Sequence, residues 1–332
     1  MRSIRRILVA VKEPGSRSMP ATVTKGIQLA RALGARLELF HALTAPIYAE
    51  AFIYGQRSFS DVTQQIRLRA MKRLQALAAR ASTGGRQRQI KISVAAEWDA
   101  PAYEAIIRRA MATKADLIIA ERHAGRHIAA SLLHLNDWEL LRRSPVPVLL
   151  VKTAGRYQRA SILAAIDPAH RLAKPVRLDR EILSISAVMA AALAGRLHAL
   201  HAYQPVASGQ RPTDALDPDT AARINARLAK AARDRFQRAL AGVSIARSRR
   251  LLMDLPPPEA IVRAAGSVRS DMVVMGAVSR SGLRRWIVGN TAETVLDRLS
   301  CDLLIVKPPR FASGIGRRRS GPRLVPVLVP VP

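Results

Sequence analysis

The chain repeats itself. Four short segments of its first half return in the same order in its second half, at offsets of 155 or 160 residues. Residues 6–12, 37–43, 115–120 and 148–152 return as residues 161–167, 197–203, 270–275 and 303–307. Four ordered matches at nearly one offset predict two tandem copies of one domain. A length of 332 residues also favours two domains of ordinary size.

The repeat predicts the division of the chain. We place the first domain at residues 1–152, a linker at 153–160, the second domain at 161–307 and a basic, proline-rich tail at 308–332. Proline recurs every few residues at the end of the tail, which prevents a helix or a central strand there. We expect an extended or disordered tail that is available to a partner.

Each copy alternates short apolar runs with longer helical patterns. The runs are continuous and rich in Val, Ile and Leu, as in parallel strands buried on both faces. The helical patterns cover residues 22–33, 64–81, 103–113, 180–194, 220–241 and 258–268, with Gly34, Gly195 and Gly242 as helix stops. This alternation predicts α/β architecture, with a doubly wound parallel sheet in each tandem domain. Ligands of such sheets bind beyond the carboxyl ends of the strands.

Composition excludes several classes of protein. The single cysteine, Cys301, rules out an intramolecular disulfide, and the Cys/His spacing of a structural zinc site does not occur. His123 and His127 have the spacing of a zinc pair, but Ala124 stands where a metalloprotease has its glutamate, so no metal site is expected. The apolar run at residues 7–11 is too short for a signal peptide, and no run is long enough to span a bilayer. We therefore expect a cytoplasmic protein.

The formal net charge of +30 is shared between the two halves. A dispersed excess of this kind is typical of a solvated surface, but it leaves nucleic-acid binding open as an alternative function. Affinity that depends on phosphate contacts would fall steeply as salt is added.

A glycine-containing loop follows the predicted strand at residues 272–275. Gly276 leaves that strand without a side chain, and Gly289 leads into a helix that Asn290 is expected to cap, with Glu293 three residues later. Free N–H groups at a helix start attract anions. An ordinary turn followed by a capped helix is the competing interpretation of this segment.

The order of elements and this loop together resemble the universal stress protein family. The family pattern is Gly, two residues, Gly, nine residues, then Gly followed by Ser or Thr. Gly276 and Gly289 match it, whereas Ser279 replaces the second glycine and Asn290-Thr291 replaces the last pair. The resemblance extends over residues 4–307 and is strongest with tandem-domain members. It implies the family's fold, which is related to that of the adenine nucleotide alpha hydrolases.

The resemblance also implies a function. It is that of a stress-response regulator without catalytic residues, which binds ATP or a related adenine nucleotide, with or without Mg²⁺, in the second domain. Asp167 matches the family's aspartate at the end of the first strand, which faces the ribose or a phosphate-bound metal. The other expected nucleotide-binding residues are His201, Ala202, Met275, Gly276, Val278, Ser279, Gly289, Asn290 and Thr291.

The first copy departs from this pattern at five positions of the site. Lys12 replaces Asp167 and Glu121 replaces Gly276. A carboxylate at residue 121 would meet a phosphate with like charge. Three further counterparts of the loop have changed, to Ala124, His134 and Leu135. The first domain is therefore expected to have lost the family's nucleotide mode and to serve as a structural partner.

Several alternatives remain at this stage. The chain has no Walker loop and no strand-linked Gly-x-Gly-x-x-Gly, and Asp167 is its only well-placed acid, so turnover is not expected. Weak ATPase activity or autophosphorylation stays open, as does a scaffold with a non-nucleotide ligand. We expect the two domains to pair internally through residues 146–152 and 302–307, and we leave further homo-oligomerisation open. Halves expressed separately should then associate or aggregate.

Overall fold

A computed structural model describes most of the chain. The described residues are 3–15, 18–45, 47–48, 58–82, 89–122, 130–169, 177–206, 217–276, 290–309, 311–317, 319–322 and 324–325. The chain divides into two compact units. The first unit contains Ile4–Arg156 together with Ala312–Pro332, and the second contains Tyr157–Phe311 together with Met1–Ser3.

The first unit contains a five-stranded parallel sheet covered by helices. Its strands are β1 (Arg6–Ala10), β2 (Arg36–Leu43), β4 (Ile92–Trp98), β5 (Leu117–Glu121) and β6 (Val148–Val151), in the order β4-β2-β1-β5-β6. A short strand, β3 (Ile47–Tyr48), lies outside this sheet. The helices are α1 (Ala21–Leu33), α2 (Phe59–Ser82), α3 (Ala102–Ala112) and α4 (Ala130–Arg143).

The second unit has the same arrangement. Its strands are β7 (Ser161–Ile166), β8 (Arg196–Ala202), β9 (Arg250–Met253), β10 (Met272–Gly276) and β11 (Asp302–Val306), all parallel, in the order β9-β8-β7-β10-β11. Its helices are α5 (Arg177–Ala192), α6 (Pro218–Ala239), α7 (Pro257–Ser267) and α8 (Asn290–Arg298), with a 3₁₀ turn at Arg247–Arg249.

The duplication extends to individual hydrogen bonds. The Asp116 carboxylate accepts the backbone N–H of Arg6 at 3.0 Å, and Asp271, 155 residues later, accepts that of Ser161 at 2.8 Å. In both units an aspartate that precedes the fourth strand of the sheet therefore holds the start of the first strand. The equal strand order and these equal contacts confirm the predicted fold of two doubly wound parallel domains.

Local sequence explains where several helices begin. Ser58 and Asp61 exchange hydrogen bonds at the start of α2, because the Ser58 hydroxyl accepts the Asp61 N–H while the Asp61 carboxylate accepts the Ser58 N–H. At the start of α6, the Asp217 carboxylate accepts the Thr220 N–H at 2.9 Å. Both are side-chain caps on otherwise unsatisfied N–H groups.

The predicted helix-stop glycines take different places: Gly34 directly follows its helix, whereas Gly242 lies three residues after the end of α6. Gly34 ends α1 in the left-handed conformation, with φ of 65°. After α5, however, the left-handed residue is Ala194 rather than Gly195. Gly195 is needed for close approach instead, since a Cβ there would lie 2.1 Å from the carbonyl oxygen of Ala160.

The strands of both sheets form the cores of their units. The central strands β1 and β7 are almost entirely buried, as are β5 and β10 beside them. Burial of aliphatic side chains on both faces contributes roughly 25 cal/mol per Å² of apolar surface. Among the described residues, no helix combines the length and the apolar character that crossing a bilayer requires.

Candidate functional site

The carboxyl ends of three adjacent strands meet in the second domain. Ile166 of β7 pairs with His201 of β8, and Ala165 pairs with Met275 of β10. The residue after β7, Asp167, is therefore level with Ala202 on β8, about 4.8 Å away. On the other side, Gly276 at the end of β10 is level with Ile166, one position before Asp167. β7 and β10 are also where the strand order reverses, which is where open α/β sheets bind ligands.

Asp167 is held in place by its backbone and keeps a carboxylate oxygen at this edge. Its N–H donates to Oδ1 of Asp179 at 3.1 Å, and its own Oδ1 accepts the N–H of Ala169 at 3.3 Å. Its Oδ2 makes no hydrogen bond with any residue in the described ranges. The partly exposed carboxylate can therefore accept a hydroxyl or hold a cation.

Asp179 is a site-forming residue that the sequence analysis missed. It lies in the first turn of α5 and is buried. By accepting the N–H of Asp167 it fixes the point at which the chain leaves β7. The available signal was an acidic side chain in the first turn of the helix that follows that strand, a position where carboxylates are stabilised.

Gly276 has a packing role. A Cβ on this residue would lie 2.7 Å from Cδ2 of Leu178 and 3.3 Å from Cδ1 of Ile182, both on α5. The missing side chain therefore faces the helix that covers the sheet and lets that helix lie close to β10. The resemblance assigns Gly276 to the nucleotide-binding residues, and the contact with α5 requires a glycine there independently of any ligand.

Two of the expected adenine neighbours, His201 and Met275, lie one and two positions further into the sheet than Asp167. His201 is 1% exposed, and its ring centroid is 5.9 Å from that of Phe236 on α6. Met275 is likewise buried in β10. Ala202, at the end of β8, is only partly buried. The structure thus brings Asp167, Ala202 and Gly276 together at the edge, with His201 and Met275 behind them.

The rest of the expected phosphate loop is described only at its end. Val278, Ser279 and Gly289 lie outside the described residues, as do His123 and His127. The helix α8 begins at Asn290, so Asn290 and Thr291 form its first turn. That boundary makes Asn290 the first helical residue, whereas the sequence analysis placed it as the cap just before the helix; such boundaries shift by a residue or two between definitions.

The same edge of the first domain carries a different set of charges. Burial lowers the pKa of the Lys12 ammonium, which stands in the position of Asp167. The carboxylates that oppose this shift belong to Asp137, Glu121 and Glu13. Asp137 is buried on α4, and its counterpart 155 residues later is Ala292. The first domain therefore places a cation near its own carboxylates where the second domain places the acid Asp167.

A histidine beside this edge is hydrogen-bonded to the backbone that follows β1. His41 of β2 holds the place that His201 holds in β8, and its Nδ1 donates to the carbonyl oxygen of Val11 at 2.7 Å. Burial lowers the pKa of His41. In the described part of the chain, no cluster of three or more His, Cys, Asp or Glu residues is arranged to hold a metal ion.

Comparison with known proteins gives a consistent result. The sequence profile of the universal stress protein family matches residues 3–152 and again residues 162–307. Universal stress protein E of Salmonella typhi is 27% identical over 319 residues, which covers 93% of this chain and 96% of that protein. Universal stress protein E of Escherichia coli K12 is 29% identical over 237 residues, covering 68% of this chain and 71% of that protein.

Solved structures share the fold. A protein of unknown function from Pseudomonas aeruginosa PAO1, PA1789, superposes with a TM-score of 0.66 at 25% identity, covering 92% of this chain and 93% of that one. A universal stress protein from Archaeoglobus fulgidus gives a TM-score of 0.55 at 14% identity, covering 91% of this chain and 96% of that one. With both halves matched by the same family profile, this chain belongs to the universal stress protein family, in its tandem-domain form.

Proposed function

We propose that the second domain is the ligand-responsive half of a stress-response regulator, and that its ligand is ATP or a related adenine nucleotide. The observation that carries the proposal is the position of Asp167, a partly exposed aspartate at the strand-order reversal of the second sheet. This position in a doubly wound sheet is where nucleotides bind.

The residues at the edge fit parts of a nucleotide unequally. Asp167 suits a ribose hydroxyl or a phosphate-bound Mg²⁺, because an ionised carboxylate is an acceptor only and a good magnesium ligand. Ala202 is partly exposed beside it and carries only a methyl group. His201 fits less well, since its ring is buried against Phe236. For the phosphates we assign Val278, Ser279, Gly289, Asn290 and Thr291 by their place in the family motif.

The first domain takes no nucleotide in this proposal. A phosphate at its edge would meet the exposed Glu121 carboxylate, which replaces Gly276. Lys12 is already surrounded by carboxylates that raise its pKa against the effect of burial. Moving it to a ligand phosphate would leave those carboxylates, including the buried Asp137, without the cation beside them.

No catalytic turnover is proposed. Phosphoryl transfer needs a positioned base and carboxylates for the metal ions. Of Asp167 and Asp179, it is Asp167 that is partly exposed at this edge, because Asp179 is buried and already accepts the Asp167 N–H. Binding without chemistry suits a regulator, whose response is a change in population rather than a product.

Isothermal titration of the full chain with ATP, ADP, AMP and cAMP tests the proposal. Nucleotide binding is known in the family, since one universal stress protein was solved in complex with cAMP. We expect saturable heat with at least one of these ligands, with affinity weakened by roughly tenfold to a hundredfold in Asp167→Asn, which removes the charge but keeps the shape. Gly276→Val is a poor probe of the ligand, because its side chain would collide with Leu178.

Flat titrations with all four nucleotides would contradict the proposal and favour a scaffold with a different ligand. Nucleic-acid binding is separable by a gel-shift series in rising salt, since phosphate contacts weaken steeply with ionic strength. Such binding would not respond to Asp167→Asn, because removing one negative charge at a strand end leaves the basic surface intact.

A further inference from the structure

The tail returns to the first domain after the second domain has ended. Residues 312–322 and the short strand β12 (Leu324–Val325) belong to the first compact unit. They contact segments that directly follow β4 and β2, so they lie at the carboxyl edge of the first sheet. This is the edge at which the second domain has Asp167. The tail therefore covers part of the ligand edge of the domain that has lost the nucleotide loop.

Asp99 is the anchor of this contact. It follows β4 and is 1% exposed. Its Oδ1 accepts the backbone N–H of Ser320 at 3.1 Å and lies 3.1 Å from the Ser320 hydroxyl. A buried carboxylate is stable only where donors surround it, so each donor that the tail supplies is worth more than one offered at an exposed site.

The Ser320 hydroxyl is bound on two sides. It accepts the backbone N–H of Ala100 at 2.8 Å, and it lies 2.6 Å from the Ala100 carbonyl oxygen. Since a hydroxyl has one hydrogen, that hydrogen is shared between the Ala100 oxygen and Asp99. The Ser320 hydroxyl is thus bound by the Ala100 backbone and the Asp99 carboxylate together. This arrangement selects a small side chain that can both donate and accept a hydrogen bond.

Arg108 of α3 bridges the anchor and the tail backbone. Its Nη1 lies 2.7 and 2.6 Å from the two oxygens of Asp99, and its Nη2 donates to Glu104. Its Nε donates to the carbonyl oxygen of Gly316 at 2.9 Å. Each of the three guanidinium nitrogens of Arg108 donates a hydrogen bond, and the one from Nε goes to the tail. The tail therefore completes a polar network that begins inside the first domain.

General electrostatic attraction does not explain the docking. The chain carries +30 overall, and the tail adds arginines without any acid, so the two repel at long range. The Arg319 contact with Glu97, at 3.1 Å, contributes little because the arginine side chain is 48% exposed and Glu97 also pairs with Arg109. The specific hydrogen bonds at Asp99 and Arg108 must therefore hold the tail on the first domain.

Backbone pairing extends the contact in a second direction. Leu324 and Val325 pair in parallel with Ile47 and Tyr48 of β3, which is the mode by which domains take up extended peptides as an added strand. Gly321, between the Ser320 contact and this strand, has a φ of 71°, a conformation that other residues rarely adopt. The tail therefore follows a defined path.

We propose that this surface, formed by Asp99, Ala100, Arg108 and β3, is a peptide-binding site of the first domain. Its ligand class is an extended, arginine-rich segment with a small hydroxyl residue followed by glycine, and its resident occupant is the chain's own tail. In this proposal the first domain binds a peptide at the edge where the second domain binds a nucleotide. The site is independent of the proposed function, since it lies on the other domain and involves no nucleotide.

The test uses the full chain and releases the tail by one substitution. Ser320→Glu puts a carboxylate against the buried Asp99, and like charges at hydrogen-bond distance repel. Ala312→Glu is the matched control, because it adds the same charge at an exposed position of the same segment. We expect trypsin to cut after Arg317 and Arg319 at least about tenfold faster in Ser320→Glu than in either the wild type or Ala312→Glu.

The released chain should then bind the missing segment from solution. A fluorescent peptide with the sequence of residues 312–325 should bind Ser320→Glu at least about tenfold more tightly than it binds the wild type, whose site is occupied by a tethered competitor. A scrambled peptide of equal composition and a peptide with alanine at position 320 should both bind more weakly than the native one. Equal cleavage of all three chains would overturn the proposal, as would equal binding of native and scrambled peptides or no binding to the released chain.

Discussion

Lys12 and Asp167 occupy the same position in the two domains with opposite charge. Each follows the first strand of its sheet, and the two positions are 155 residues apart. Each also has a histidine-bearing strand beside it, β2 with His41 in the first domain and β8 with His201 in the second. The lysine is partly buried among carboxylates, whereas the aspartate is partly exposed and its Oδ1 accepts the backbone N–H of Ala169. The same edge of the duplicated sheet therefore carries a positive charge in the first domain and a negative charge in the second.

Glycines that look alike in the sequence should respond differently to alanine. Gly195→Ala would put a Cβ 2.1 Å from the backbone oxygen of Ala160, so we expect the second domain to lose several kcal/mol of stability, at least about 2 to 3. Gly266→Ala in α7 is the matched control, because no heavy atom lies within 4 Å of its new Cβ, and it should stabilise by up to about 1 kcal/mol. Urea unfolding followed by circular dichroism measures both; equal effects would show that the close approach at Gly195 is not real.

A side chain at residue 276 should collide with Leu178 of α5, and shortening Leu178 should relieve that collision. Gly276→Ala meets a side-chain terminus, Cδ2 of Leu178, rather than backbone. We expect a loss of roughly 1 to 3 kcal/mol, smaller than that of Gly195→Ala. In a Leu178→Ala background the same substitution should cost less, since the space it needs is then empty. A double-mutant cycle that shows simple additivity would argue against this contact.

Tyr157 should make the second domain sensitive to alkaline pH. Its hydroxyl donates to Asp302 at 2.5 Å, and burial, followed by the charge of Asp302, raises the pKa of the phenol well above 10. Above about pH 10 the unfolded chain then loses this proton while the folded chain keeps it, so the stabilising contribution is complete below that pH and is lost as pH rises. Tyr157→Phe should flatten the stability profile above pH 10 and lower stability at pH 7 by about 1 to 3 kcal/mol. A steep alkaline loss that persists in the variant would show that other groups cause it.

His41 should have the opposite signature in the first domain. Because burial lowers its pKa in the folded chain, the unfolded chain takes up a proton first as pH falls below about 6.5. The contribution is therefore present above that pH and is lost during acidification. His41→Gln, which retains a donor for the Val11 carbonyl, should reduce the acid dependence of unfolding between about pH 6.5 and 5. An unchanged profile would mean that His41 titrates normally.

Periodicity and the repeat were sufficient to predict both sheets, because parallel strands buried on both faces leave a clear pattern of apolar runs. Helix boundaries were predicted to within a few residues, with the start of α2 at Phe59 rather than Gln64 as the largest difference. Asp167 was found through the family motif. Asp179 was not, because its role depends on a backbone hydrogen bond across a turn that no pattern of side chains reveals.

The least predictable feature was the return of the tail. Its proline-rich composition favoured an extended or disordered segment that would be available to a partner. The contact between Ser320 and Asp99 joins residues 221 positions apart. Such a pairing depends on the folded position of Asp99, and it has no counterpart in local propensity. The same holds for Gly276, whose neighbour Leu178 lies on a separate helix.

The number of nucleotides bound per chain tests the central claim most directly. Equilibrium dialysis with radiolabelled ATP and Mg²⁺ should give one site per chain in the wild type, and the same affinity in Lys12→Met, because the first domain does not contribute. Asp167→Asn should weaken that site by roughly tenfold to a hundredfold while circular dichroism shows an unchanged fold. Two equivalent sites per chain, or a single site that is lost in Lys12→Met and kept in Asp167→Asn, would contradict the assignment of the ligand to the second domain.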